Sequence, residues 1–294
     1  MPGLGSQHAD GTGRAPADAA AGACTPDSEV QSELAGLIAT IECEVIPRLL
    51  LMRRSPAAPP LAAAPPPTPP RARVHTQEVD ALVSALLADR PVTPIVSALL
   101  RSDVDVDQLF VELLAPAARE LGTRWSEDLA SFADVTVAVG RLQQLLRELS
   151  YDFLGGARPP QPRRTILLAP CPGEQHLFGT LMVSEYFRRA GWDVTTLPAA
   201  DIDELTATVR NDWFAVVGLS AGSTRQLDSL AAAIRATRRA SVNRAVGVMA
   251  GGPAFANRPQ LVARVGADAG AEEARQAPAC AEQLLDLLAA DCHV

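Results

Sequence analysis

The sequence contains no lysine; all 26 of its basic residues are arginine. Several chemistries go with that absence. A Walker-type phosphate loop has no lysine to meet its phosphates, and neither a Schiff-base lysine nor a lysine general base is available. Enrichment in alanine, arginine and proline together points to genomic base composition as the cause, but the chemical exclusion holds regardless. Cys24, Cys43, Cys171, Cys280 and Cys292 are odd in number, scattered, and form no CxxC pair. They suggest neither a disulfide framework nor a zinc site. No apolar run is long enough to span a bilayer, and the opening MPGLGSQHADGTGRAPADAA lacks the basic-then-apolar layout of a signal peptide. The expectation is a cytoplasmic protein without a membrane association. A formal charge of −8 argues against a dedicated nucleic-acid binder. Aromatic residues are scarce at 4%, and alanine supplies much of the 48% apolar share, so a core is expected but a largely aliphatic one.

What is present falls into segments. Residues 1–27 are rich in Gly, Ala and Asp without periodicity, the composition of a disordered tail. Over 28–54, Leu34, Leu37, Ile38, Ile41 and Val45 recur at helical spacing behind a candidate N-cap, Ser28, and Pro47 should end or kink that helix. A Pro-rich spacer covers 55–75. Residues 76–154 carry four amphipathic patterns with short polar breaks, which predicts a four-helix bundle. After a second linker at 155–162, residues 163–294 alternate apolar strands with amphipathic helices. Strands are predicted at RTILLAP, DVTTLP, FAVVGLS and RAVGVMAGG, with a stub near 267–271. Near-continuous apolar strands between helices mean a parallel sheet covered on both faces, and five such units fit the flavodoxin-like order. The predicted class is therefore α/β: a small helical bundle followed by a doubly wound, five-stranded parallel sheet.

Open parallel sheets bind ligands beyond the carboxyl ends of their strands. Three features of the sequence fall there. The first strand is followed by APCPGEQHLFG, with Glu174, His176 and Gly179. Ser220, Gly222, Ser223 and Thr224 follow the third strand, and Gly251 and Gly252 end the fourth. No GxGxxG is present, so a phosphate site is poorly supported. A phosphoacceptor site would need clustered aspartates at the first strand end and a later lysine. An imidazole with a carboxylate two residues before it suits metal ligation. One ring nitrogen binds the metal while the other donates its proton to the carboxylate. An ordinary loop histidine is the competing reading of His176; the small-residue loops beside it weigh against that.

The pattern E-x-H-x-x-G after the first strand, S-x-G after the third and Gly-Gly after the fourth resembles the cobalamin-binding fold, where the first motif is usually D-x-H-x-x-G and the second S-x-L. The resemblance implies base-off binding, with His176 ligating cobalt from below. The cofactor's nucleotide tail would enter a slot lined by Ser220, Gly222, Ser223, Gly251 and Gly252. Glu174 in place of Asp lengthens the carboxylate arm, and Gly222 in place of Leu is expected to leave more room. A bundle before such a domain occurs in methyl-transferring corrinoid carriers and in light-sensing regulators. Light sensors of this kind place a Trp over the upper corrin face, a His directly after it, and Glu-His after nine intervening residues. This chain has Trp125, but Ser126 follows it and Val135-Thr136 stands at the Glu-His position. A plain core aromatic is the competing reading of Trp125.

TIECEVIPRLLLMRR, ending at Arg54, resembles a segment of the AerR/PpaA-type regulators of purple photosynthetic bacteria. That resemblance implies a light-responsive, possibly redox-responsive, cobalamin-binding regulator that is not an enzyme. It would act as an antirepressor through a CrtJ/PpsR-type repressor, without sequence-specific DNA binding of its own. It implies hydroxo-, aquo- or adenosylcobalamin as cofactor, held by Glu174, His176, Gly179 and the small-residue loops, with Trp125 and Val135 above. The alternatives are a corrinoid carrier for methyl transfer, and a haem-binding sensor on the same fold.

Overall fold

The computed structural model describes residues 73–174, 177–198 and 201–291. The helix expected over 28–54, its flanking tail and nearly all of the Pro-rich spacer lie outside the described residues, as does His176. The described residues all belong to one compact unit, Pro69–Val294.

Helices come first, as the apolar periodicity requires. Helix α1 (Thr76–Leu87) buries Val79, Leu82, Val83 and Leu86, and α2 (Thr93–Arg101) buries Val96 and Leu99. The third pattern runs from Val106–Gln108 (α3) through a π-helical turn, Leu109–Leu114, into Ala115–Ser126 (α4). The sequence shows why the winding loosens there. Pro116 has no N–H to offer Glu112, and its ring would crowd that carbonyl in a regular helix. The backbone instead bonds Ala115 N to Phe110 O, five residues back. Ser131 caps α5 (Phe132–Leu154) by accepting from Asp134 N. Arg141 of α5 donates to Ala85 O (3.2 Å), Leu86 O (2.8 Å) and Arg90 O (2.6 Å). It thereby ties α5 to the last turn of α1 and to the loop that follows.

The sheet comprises β1 (Thr165–Pro170), β2 (Asp193–Thr196), β3 (Val216–Ser220), β4 (Gly247–Gly251) and β5 (Ala269–Ala271). Every pairing is parallel and the order is β2-β1-β3-β4-β5, the flavodoxin-like arrangement expected from sequence. Alternate residues feed two cores. Leu167, Val217 and Val248 pack under α7 (Ile202–Asn211), α8 (Leu227–Ala240) and α9 (Gln260–Val265). Ile166, Val216 and Met249 face α6 (Phe178–Arg189) and α10 (Ala277–Asp291).

Bundle and sheet are not independent. Phe178, Met182 and Tyr186 of α6 are buried within the bundle core. Phe110 stacks on Phe153 at 4.5 Å, and the Tyr186 ring stands edge-on to both. At the rim of this seam Tyr186 Oη donates to Asp107 Oδ1 (2.9 Å), whose other oxygen takes Arg275 (2.7 Å). Burial, and then the Asp107 charge, push the Tyr186 phenol well above its ordinary range, so it stays a proton donor. The 155–162 connection also lies against the sheet unit, through Arg158 N to Arg189 O (2.9 Å) and Gln161 N to Gly191 O (3.1 Å).

Candidate functional site

The strand order reverses between β1 and β3, and a crevice is expected beyond their carboxyl ends. Pro170 pairs with Ser220 and Ser220 with Gly251, so three strand ends are level. Cys171 N then donates to Ser220 O (2.7 Å), carrying the β1–β3 ladder one residue further. A tight turn follows, with Gly173 at φ 85° and Glu174 N bonded to Cys171 O (2.8 Å). It turns the Glu174 side chain inward, where 8% remains exposed.

Glu174 Oε2 accepts from Gly222 N at 3.0 Å. A Cβ at position 222 would lie 2.5 Å from that oxygen. The expectation that Gly222 leaves extra room is therefore corrected. The longer carboxylate arm fills the space a side chain at 222 would need. The two departures from the D-x-H-x-x-G and S-x-L patterns therefore meet in space.

The loop after β3 is built from its own polar groups. Gln226 Oε1 accepts from Gly222 N and Ser223 N, both at 3.1 Å, and Ser223 Oγ accepts from Arg225 N (3.3 Å). The Ser223 hydroxyl thus caps the 3-10 turn Thr224–Gln226. Gly252 has φ 97°, and a Cβ there would fall 2.6 Å from Ala221 O and 2.8 Å from Ser220 Oγ. Only glycine fits that approach. Ala221 N to Gly251 O (3.0 Å) ties the two loops together. Gly179, in the first turn of α6, faces open space.

Glu174, Ser220, Gly222, Ser223, Gly251 and Gly252 are thus brought together as the sequence reading requires. His176 follows Glu174 by two positions and lies outside the described residues. Trp125 and Val135 belong to the bundle instead. Trp125, at the end of α4, is 44% exposed and packs its ring 6.2 Å from that of Phe132, itself 66% exposed. Val135 packs against the bundle core. Among the described residues, no hydrogen bond or ring contact joins Trp125 to the strand-end loops. Sequence reading missed Phe132 and Leu129, which extend the exposed apolar surface beside Trp125. Two large apolar residues exposed around a helix N-cap were the available signal. Ser126 Oγ donates to Thr123 O (2.9 Å) and Thr136 Oγ1 to Phe132 O (2.7 Å). Both hydroxyls are committed to their own helices.

No group of three or more His, Cys, Asp or Glu side chains is placed to hold a metal ion among the described residues. A metal bound by side chains alone has no ligand set there. A cobalt already held in a corrin needs only an axial side chain. The small-residue floor and the open space at Gly179 leave room for such a ring.

Cys171 lies beneath this floor, fully buried, its Sγ 3.7 Å from Gln226 O. Burial first, and the neighbouring Glu174 charge second, raise its pKa from 9.0 to about 11. A raised pKa means the folded state holds the proton that the unfolded state releases. Stability from this group is full below pH 9 and falls as pH rises toward 11. At pH 8 its thiolate fraction should be roughly 100-fold below that of a free cysteine. Native Cys171 should accordingly resist iodoacetamide until the chain is denatured, as mass mapping of the labelled peptide would show. Rapid native labelling would mean that the floor opens.

These features define a ligand-binding α/β domain of flavodoxin-like order, joined to a helical bundle. Residues 164–281 match the B12-binding domain family. An uncharacterized 20.5 kDa protein of the bchF–crtJ intergenic region in Rhodobacter capsulatus is 31% identical over 169 residues, spanning 56% of this chain and 85% of its own length. The chain belongs to the family of that protein, the AerR/PpaA type of B12-binding-domain proteins. The HTH-type transcriptional repressor CarA of Myxococcus xanthus is 33% identical over 142 residues, 47% of this chain and 45% of the repressor. The monomethylamine corrinoid protein of Methanosarcina barkeri shares the fold at 15% identity and a TM-score of 0.57, over 73% of this chain and all of its own. No described helix is long and apolar enough to cross a membrane.

Proposed function

We propose that this chain is a light-responsive, cobalamin-dependent regulator that relieves repression by binding a CrtJ/PpsR-type repressor, and that it catalyses no reaction. The observation that carries this reading is kinship with a protein encoded between bchF and crtJ. Cobalamin would supply a photolabile cobalt–carbon bond. His176 would ligate the cobalt, and Glu174 would hold the proton of the second ring nitrogen. A carboxylate accepts at both oxygens, so its bond to Gly222 N is compatible with that role. The loops at Ser220, Gly251 and Gly252 would bound the tail slot, and Trp125 with Phe132 would face the ring from above. A methyl carrier must bare its corrin to a second active site. Here the seam through Tyr186, Asp107 and Arg275 fastens the bundle, which favours a sensor.

The absorption spectrum of the purified pigment tests the reading: a base-off cobalamin spectrum is expected, and a haem Soret band would replace it with the haem alternative. With Ser126 and Thr136 committed to their helices, no described side chain is assigned as an upper ligand of the cobalt. Hydroxocobalamin should bind at least as tightly as adenosylcobalamin, and illumination should convert the latter to the former. Titration of both forms in the dark and after light, for the wild type and Trp125→Ala, checks this. A strong dark preference for adenosylcobalamin would refute it.

A chain beginning at residue 74 should still fold and bind cobalamin, since the compact unit begins at Pro69. Loss of repressor binding by this shorter chain is expected, because IECEVIPRLLLMRR is then missing. Full light-dependent repressor binding without it would show that the segment has another role.

A further inference from the structure

The pole of the sheet opposite the candidate cofactor site carries a separate feature. Helices α7 and α8 run back from the strand ends and finish beside the starts of β3 and β4. Val242 N bonds to Val209 O (3.0 Å) and Asn243 Nδ2 to Phe214 O (2.8 Å), which ties the two connecting loops into one surface. On it Trp213 is 44% exposed and Val242 48% exposed. Arg210 and Arg239 are exposed in the last turns of α7 and α8, and neither has an ion pair among the described residues. Arg244, exposed beside them, donates to Arg239 O (3.3 Å). Asp212 is the acidic residue of the same loop.

Arginines in the last helical turn complement the helix dipole, which accounts for Arg210 and Arg239 singly. Arg244 likewise bonds a carbonyl of the last turn of α8, but neither role accounts for a tryptophan and a valine exposed on the same surface. In a chain of net charge −8, this pole is locally basic and apolar. Exposed Trp with flanking Arg is the composition of a protein-binding hot spot, and the charge selects an acidic partner.

We propose that Trp213, Val242, Arg210, Arg239 and Arg244 form a docking surface for an acidic segment of a partner protein that carries apolar side chains. Trp213 and Val242 take its apolar residues and the arginines its carboxylates. The surface lies at the amino ends of the strands, opposite the candidate cofactor site.

The test uses the full chain and a fluorescein-labelled amphipathic peptide alternating Glu and Leu at helical spacing, followed by anisotropy. Binding is expected to weaken with salt and to fall roughly 10-fold or more with Trp213→Ala and with Arg210→Glu/Arg239→Glu. Arg101→Glu, an exposed arginine of the bundle, should leave it unchanged, and circular dichroism should report all variants folded. Equal binding of a Lys-for-Glu peptide, or insensitivity to both pole variants, would overturn the proposal. Tighter binding of labelled duplex DNA, lost with the same substitutions, would overturn it in favour of a nucleic-acid surface.

Discussion

Replacing His176 with alanine is expected to yield a folded protein whose affinity for cobalamin falls by more than about 100-fold, since loss of a residue behind a metal ligand alone costs about 10- to 100-fold. The described cores explain why the fold should survive. Buried apolar residues of the helices and strands form the bundle core and the two sheet cores. Circular dichroism should match the wild type while the pigment is lost on gel filtration. Glu174→Gln should weaken binding less, by about 10- to 100-fold, if the carboxylate anchors the imidazole proton. Unchanged retention in His176→Ala with a base-on spectrum would refute ligation by His176.

The second large effect concerns the pair formed by Glu174 and Gly222. Gly222→Leu places its first side-chain atom 2.5 Å from Glu174 Oε2. The carboxylate must then shift, straining or breaking the 3.0 Å bond from Gly222 N. A loss of about 10- to 100-fold in cobalamin affinity is expected for Gly222→Leu, comparable with removing the carboxylate itself. Glu174→Asp shortens the arm by one methylene and clears the space. The double variant Glu174→Asp/Gly222→Leu should therefore recover most of the affinity lost by Gly222→Leu. The coupling is expected at about 1–3 kcal/mol in a double-mutant cycle, the range of contacting residues. Additive losses would mean that the two positions act separately.

These two predictions differ in where they came from. The loop after β1, with His176 nominated in it, was singled out from the sequence because a parallel sheet puts its ligand loops after its strands whatever the side chains. The contact between Glu174 and Gly222 was not. Positions 48 apart in sequence meet because β1 and β3 are adjacent in the sheet, and a pattern comparison sees each departure alone. Ser223 and Gly252 show the same limit. Both were nominated for a cofactor slot, and the fold adds that one caps a turn and the other is glycine because Ala221 O lies too close for a side chain.

The sequence by itself determined the elements and their class. Apolar periodicity set four bundle patterns and five strands, and Pro116 stands where the third helix unwinds by one residue. These are local matters of φ/ψ, hydrogen-bond donors and which face is apolar. Only the tertiary structure decided how the pieces join. Tyr186, read as one more residue of an amphipathic helix, became the link from α6 into the bundle through Asp107, and Cys171 became a buried, protonated thiol. Trp213 and Val242 came to share an exposed pole with Arg210 and Arg239. Long-range packing sets desolvation and brings charges near one another, and neither quantity is carried by a residue or its sequence neighbours.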